Sequence, residues 1–310
     1  MLRCVYFSLI PVLRNAFLNK VARVWNRLVC RMAQRILPWH YVCTPWRGGV
    51  NRKDRPGPDL VVSLTTYPAR IGLVHLALES LLRQTLRPDR ILLWLAEEQF
   101  PQRRLPPQLV RLQQRGLEVL FRKNLGPHTK YLYALQDFTQ EIVVTVDDDC
   151  FYPPTLLAEL DSAYRRNPSV ITCTRAHEVC FEARDYLKPY LQWNWLSVGF
   201  PALQPSHVLL ATGVGGVLYP PGILKNPCFD EDSIRELCPY ADDLWLKIME
   251  WLQRVKVQKS RSRCKEWIPV QGSQEEGLCL ANNGRGKNDV QLQAILAKFP
   301  VSFASLRDIP

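Results

Sequence analysis

A mostly parallel α/β sheet with helices on both faces is the fold this sequence predicts, on three observations. From Leu60 onward, short β-branched runs alternate with segments of helical periodicity. The spacers are long enough for right-handed crossovers between parallel strands, which hairpins do not need. The apolar run 142–146 stops in three consecutive carboxylates, Asp147, Asp148 and Asp149. That places charge at the strand ends, where open α/β sheets bind ligands.

The elements follow in order. A strand is predicted over residues 60–64 and a helix over 72–86, where Leu73, Leu76, Ala77, Ser80 and Leu81 share one face. A strand over 90–96, a helix over 108–114 after Pro106-Pro107, a strand over 117–121 and a helix over 129–138 lead to the strand over 141–146. Cys173 falls in a further apolar strand. From residue 176 the period loosens, and Phe181, Tyr186, Tyr190, Trp193, Trp195 and Phe200 crowd into a segment that reads first as core and second as a sugar-stacking surface. A strand over 207–210, a turn holding Gly213, Gly215 and Gly216, a strand over 217–219, a helix over 244–253 opened by Asp242 and Asp243, and a helix over 290–299 complete the chain. The first half of the domain, residues 59–175, has the organisation of a Rossmann-like nucleotide-binding unit.

Charge separates an appendage from this domain. Residues 1–57 hold eleven Lys or Arg and one acid, Asp54, whereas the remainder is nearly balanced at 29 basic to 28 acidic residues. The domain itself therefore does not read as a nucleic-acid binder. Residues 1–46 form a basic extension and 47–58 a Gly, Pro and charge-rich linker. The apolar start, residues 4–13, is too short to span a bilayer and lacks a small-residue cleavage site. Beyond it, Leu13, Phe17, Val21, Val24, Leu28 and Met32 recur at helical spacing with Lys20, Arg23, Arg27 and Arg31 beside them, and Trp25, Trp39 and Trp46 nearby. Such a helix suits peripheral contact with an anionic membrane, or packing on the domain or on a partner helix. Ten cysteines without a C-x-x-C pair read as scattered thiols of a cytoplasmic protein.

The acids carry the chemistry. If the strand continued through them, Asp147 and Asp149 would share a face and Asp148 would point away. Two carboxylates on one face suit a hard cation, Mn²⁺ or Mg²⁺, and the alternative is a solvated acidic turn before Tyr152-Pro153-Pro154. The loop Thr65, Thr66, Tyr67 to Arg70 offers hydroxyls, backbone N–H groups and a guanidinium to a nucleotide. Lys130 and Arg70 are candidate phosphate contacts. Asp242 and Asp243 are candidate general bases, or a helix cap. His177 is a weaker candidate metal ligand.

Nucleotide loop, strand-end acids, glycine turn and second acidic pair, in this order, resemble the GT-A glycosyltransferases, above all the family 2-like bacterial enzymes that build cell-surface polysaccharide. The resemblance covers about residues 59–299. It implies that Asp147–Asp149 is the DXD element, with Asp147 and Asp149 on the metal and Asp147 and Asp148 touching the sugar nucleotide. It implies that the loop with Thr65, Thr66, Tyr67 and Arg70 binds the donor; Lys130 reads as a further donor contact or as an ordinary surface charge, and Gly213, Gly215 and Gly216 as an acceptor-side turn or as plain turn geometry, within an acceptor-binding half over residues 176–310. Asp242-Asp243 matches the position of the catalytic base, usually Glu-Asp; either residue could serve, with Asp243 favoured. The acceptor signature of processive synthases has no clear counterpart, so the expectation is metal-dependent, inverting addition of one sugar to a glycan or lipid-linked acceptor, in polysaccharide or lipopolysaccharide synthesis at the cytoplasmic face of the inner membrane. Two alternatives stand beside it: a non-catalytic nucleotide or carbohydrate binder, and a metal-dependent phosphoryl-transfer enzyme, for which the phosphate cradle G-x-x-x-x-G-K-[ST] does not occur.

Overall fold

The computed structural model describes residues 16–44, 48–50, 56–183, 186–195, 204–261, 268–273 and 286–303. Leu13, Trp46 and Phe200, the segment 1–15, the side chain of Phe17 and much of the predicted linker lie outside them. In chain order the principal elements are α1 (Ala16–Cys43), β1 (Leu60–Thr65), α2 (Val74–Leu82), β2 (Arg90–Ala96), α3 (Pro107–Gln113), β3 (Leu117–Arg122), α4 (Thr129–Asp137) and β4 (Ile142–Thr145). Next come β5 (Cys150–Phe151), α5 (Leu156–Arg166), β6 (Ile171–Cys173), β7 (Ala176–Glu178), β8 (Phe181–Ala183), β9 (Tyr186–Leu187), β10 (Asn194–Trp195), β11 (Leu209–Ala211) and β12 (Val217–Tyr219). The chain then adds α6 (Glu231–Leu237), α7 (Asp242–Leu252), β13 (Val257–Lys259), β14 (Ile268–Pro269) and α8 (Lys287–Lys298).

Seven strands form the central sheet in the order β13-β6-β12-β4-β1-β2-β3. β4, β1, β2 and β3 run parallel, as do β6 and β13, while β12 is antiparallel to both its neighbours. The sheet is thus mostly parallel, and it crosses residue 175 without a break.

Strand periodicity decides which side each residue feeds. Leu60, Val62 and Leu64 of β1 pack with Ile91, Leu93, Val144, Leu78, Leu81, Leu156 and Leu160, the side covered by α2 and α5. Val61 of β1 packs with Leu92, Trp94, Val143, Tyr131, Leu132 and Trp245, the side covered by α4 and α7. Because helices cover both faces, β1 is apolar along nearly its whole length. Its one interior polar residue, Ser63, is fully buried and doubly bonded: its hydroxyl donates to the Lys130 carbonyl at 2.5 Å and accepts from Trp94 Nε1 at 2.7 Å. Those bonds fix the first turn of α4 against β1.

One helix begins and ends well inside its predicted bounds. Residues 70–73 are a turn held by the Tyr67 and Arg70 carbonyls, so α2 starts at Val74, and Thr85 leaves the helix to pair with the Pro154 carbonyl. α1 also departs from expectation. It lays Val29, Ala33, Leu37 and Tyr41 on Phe151, Ile268, Val270, Leu73 and Leu76, whereas the predicted stripe of Val21, Val24, Leu28 and Met32 stays exposed. Among the described residues no helix is long and apolar enough to cross a membrane, and no disulfide joins the described cysteines.

Candidate active site

The register of the sheet builds the first half of the site. β1 and β4 are parallel neighbours with Ser63 opposite Thr145. Three residues further along each chain stand Thr66 and Asp148, and their side chains meet: Thr66 Oγ1 donates to Asp148 Oδ2 at 2.5 Å. Arg70, in the turn before α2, reaches back with one guanidinium nitrogen to Asp148 Oδ1 at 2.7 Å and Asp149 Oδ2 at 3.0 Å. Its plane also lies 5.3 Å from the Tyr67 ring. Thr65 is spent elsewhere, donating to the Trp94 carbonyl at 3.0 Å.

This corrects the strand-alternation argument. β4 ends at Thr145 and the chain turns through Asp148 and Asp149, so the triplet is not an extended strand. Asp148 and Asp149 share Arg70, and Asp147 takes a different partner. Tyr152 stabilises the turn, its phenol oxygen accepting the Asp147 N–H at 2.7 Å. Sequence reading noticed Tyr152 only as the start of a proline turn.

The second half arrives from three distant segments. Lys130, in the first turn of α4, places Nζ 2.7 Å from Asp147 Oδ1 and 2.9 Å from Asp242 Oδ2. β12 runs antiparallel to β4 with Val217 opposite Thr145, which hangs the preceding glycine turn over the acids. The Gly213 N–H donates to Asp243 Oδ1 at 3.0 Å. A Cβ on Gly213 would stand 2.8 Å from Lys130 Nζ and 3.4 Å from the carboxylate oxygens of Asp147 and Asp243, so only glycine lets these groups close up. Gly215 and Gly216 do not join this cluster: they face Arg175 and Leu156, and Gly216 has φ +80°. Ala241, not an aspartate, holds the cap position of α7, and no side chain caps that helix. Asp242 and Asp243 occupy its first turn, where the helix dipole favours negative charge.

Burial works against the charges of Arg70, Lys130, Asp147, Asp148 and Asp243. It pushes Asp148 up to about 6, with Arg70 and Thr66 pulling the other way. Asp147 is raised by burial and by the Asp149 and Asp242 carboxylates, against Lys130. Asp243 is raised well above the ordinary carboxylate range by burial and then by Asp242. Burial alone would lower Lys130, but Asp147, Asp242 and Asp243 outweigh it and hold the ammonium charged. His177 is apart from this cluster, stacked 4.9 Å from Trp195 and pushed down to about 3 by burial and Arg175. That neutral imidazole belongs to the small β10-β7-β11 sheet.

Residues 65–206 match the family model described as "Glycosyl transferase family 2", a little under half of the chain. Over those residues the chain is similar to glycosyltransferase family 2. The match spans the Thr65–Arg70 loop and the acid triplet, and ends before the glycine turn and α7. The fold around the matched segment is a mixed α/β arrangement, a mostly parallel sheet with helices on both faces, as the resemblance to the GT-A enzymes implies. Among solved structures, a mannosyltransferase from Pyrobaculum calidifontis, PcManGT, described in complex with GDP-Man and Mn²⁺, superposes with a TM-score of 0.46 at 14% identity over 99% of this chain and 81% of its own. GalNAc-T7 with UDP, GalNAc and Mn²⁺ gives 0.49 at 10% identity over 90% of this chain and 57% of its own. TarS of S. aureus, residues 1–349, gives 0.42 at 16% over 65% and 59%. No curated protein matches the chain.

Proposed function

We propose that this domain moves one sugar from a nucleotide-sugar donor to a hydroxyl of a glycan or lipid-linked acceptor, with inversion at the anomeric carbon and with Mn²⁺ or Mg²⁺ at the acid triplet. The supporting observation is the meeting of two acidic groups across Lys130: the strand-end triplet on one side and Asp242-Asp243 on the other. A displacement with inversion needs this division, because the leaving diphosphate and the attacking hydroxyl stand on opposite faces of the sugar. The assignment to cell-surface polysaccharide or lipopolysaccharide synthesis follows from the resemblance of the motifs.

The residues fit a divalent cation. Among the described residues Asp147, Asp148, Asp149 and Asp242 pair with Arg70 and Lys130, with Asp243 beside them, and a hard ion would neutralise further carboxylate charge in this cluster. Asp147 and Asp149 would hold it. Among the described residues no group of three His, Cys, Asp or Glu side chains is arranged to hold a metal ion, so a bound ion would have to take water or phosphate oxygens into its shell. When bound, such an ion neutralises charge growing on the diphosphate.

The chain's own groups do the rest. Arg70 offers a guanidinium beside the same oxygens, and Thr66 holds Asp148 in place. Asp243 is the base: the Gly213 N–H orients one carboxylate oxygen, and burial together with the adjacent Asp242 raises its proton affinity. Asp242 is spent on Lys130.

A thermal-shift screen of sugar nucleotides with and without Mn²⁺ tests the donor, since a ligand that binds only the native state raises apparent stability. The stabilising donor is then incubated with glycan acceptors and the product's anomeric configuration is read by NMR. Retention of configuration, or nucleotide hydrolysis with no transfer to any acceptor, would sink the reading.

A further inference from the structure

We propose that α1 is a membrane-docking helix whose outer face lies flat on an anionic lipid surface while its inner face is fixed to the domain. The inference stands on the surface of α1 and is independent of the transfer chemistry.

Three longitudinal stripes divide the helix. The inner stripe of Ala22, Val29, Ala33, Leu37 and Tyr41 is buried. It is held by more than apolar contact: Gln34 donates to the Pro269 carbonyl at 3.0 Å, Arg83 donates to the Tyr41 and Thr44 carbonyls at 3.1 and 2.8 Å, and the Tyr41 ring lies 6.1 Å from Phe151. The outer stripe of Val21, Val24, Trp25, Leu28, Met32, Ile36 and Trp39 is 43 to 68% exposed along the whole described helix. The third stripe, Lys20, Arg23, Arg27, Arg31 and Arg35, is exposed and runs directly beside the outer one, because each basic residue precedes an apolar one and successive residues are about 100° apart. Residues 16–43 contain no Asp or Glu.

A soluble helix needs one apolar face, and α1 has two. The inner face satisfies the domain, while the outer one stays exposed, and an apolar stripe of this length marks a surface for association. The charge selects the partner. A second copy of α1 would set one basic stripe against another, whereas an interfacial helix buries its apolar face at the acyl boundary with Lys and Arg among anionic headgroups and Trp near the interface. A shallow concavity lined by Lys20, Arg23, Val24 and Arg27 opens on this flank.

Docking there would bring the candidate active site close to the bilayer. Phe151, on which Tyr41 rests, lies two residues beyond Asp149, and Val270 of the same cluster donates its N–H to the Asp149 carbonyl at 2.7 Å. The helix and the acid turn therefore move as one body.

Co-sedimentation of the full chain with vesicles of phosphatidylglycerol and phosphatidylcholine, against phosphatidylcholine alone, tests this. The expected result is pelleting with the anionic vesicles, weakened as salt rises from about 0.1 to about 0.5 M. The double variants L28E/M32E and R27E/R31E should each lose at least about 10-fold in partitioning. All four side chains are exposed, and unchanged thermal melts would show the fold to be intact. Equal pelleting by both vesicle types, unchanged pelleting by either variant, or no pelleting at all would overturn the proposal. So would a concentration-dependent dimer, seen by analytical ultracentrifugation, that L28E/M32E abolishes, since that outcome assigns the face to a second copy.

Discussion

The Gly213 backbone donates to Asp243 Oδ1 at 3.0 Å, and this bond joins the glycine turn before β12 to the first turn of α7. It separates the two adjacent aspartates by role, because Asp242 reaches Lys130 instead. An amide oxygen at position 243 would still accept from Gly213, so Asp243→Asn should leave the fold in place. It cannot take a proton, and turnover should fall by at least about 100-fold while donor affinity survives. Asp242→Asn keeps the side chain's size and should cost far less. Turnover and donor calorimetry on both variants check this; a dead Asp242 variant beside an active Asp243 variant would move the base by one residue.

Gly213→Ala probes the same junction from the backbone side. The added methyl would meet Lys130 Nζ at 2.8 Å. That atom ends a flexible side chain, so the lysine can swing away and the protein should still fold. What is lost is the tie between Asp147 and Asp242. Turnover is expected to drop by about 10- to 100-fold, as misplacement of reacting groups commonly does, with little change in melting temperature. A variant that melts many degrees lower with normal turnover would show that the glycine serves only packing.

The triplet gives a metal test. Asp149 raises the proton affinity of both Asp147 and Asp148 through like-charge repulsion. Asp149→Ala removes that repulsion, so the metal-free protein should melt at the same temperature or higher. Mn²⁺-stimulated binding of the donor should disappear. Calorimetry with Mn²⁺ and with EDTA measures it, and an affinity in the variant that still depends on Mn²⁺ would remove Asp149 from the metal site.

Short-range pattern made part of this legible. β2 (Arg90–Ala96) and β12 (Val217–Tyr219) have the bounds read from sequence, because each is an uninterrupted apolar run between turn residues. α5 and α6 have no counterpart in that reading. α5 carries helical spacing at Leu156, Leu160 and Ala163 but follows directly on Pro153-Pro154, and α6 is only seven residues long. Asp147–Asp149 does not alternate as a strand would, because β4 stops at Thr145. The site's decisive contacts are long-range: Lys130 meets Asp242 from 112 residues away and Gly213 meets Asp243 from 30, separations on which neither periodicity nor spacing has any hold. The second apolar face of α1 was hidden by Ala22 and Ala33, residues too small to mark a stripe among longer neighbours.

His128 supplies a pH test of the cleft floor. It is fully buried, with Nε2 2.6 Å from the Cys238 carbonyl and Nδ1 2.9 Å from the Tyr131 hydroxyl. A neutral ring satisfies both by donating through Nε2 and accepting at Nδ1, whereas a charged ring requires the Tyr131 hydroxyl to turn and accept at Nδ1 instead. Burial pushes the imidazole down to about 4, and nearby Lys130 adds to this, against the opposing pull of Asp242 and the Cys238 carbonyl. The unfolded chain therefore binds this proton near pH 6.5 and the folded chain only near pH 4. Stability from the neutral ring is fully present above the unfolded value and is lost as pH falls through that window, by about 2 kcal/mol at pH 5. His128→Gln retains a donor for the Cys238 carbonyl and cannot titrate. Urea melts at pH 7 and pH 5 should show wild type losing about 2 kcal/mol more than the variant on acidification. Parallel losses in the two proteins would mean that the buried ring does not titrate out of step with the unfolded chain.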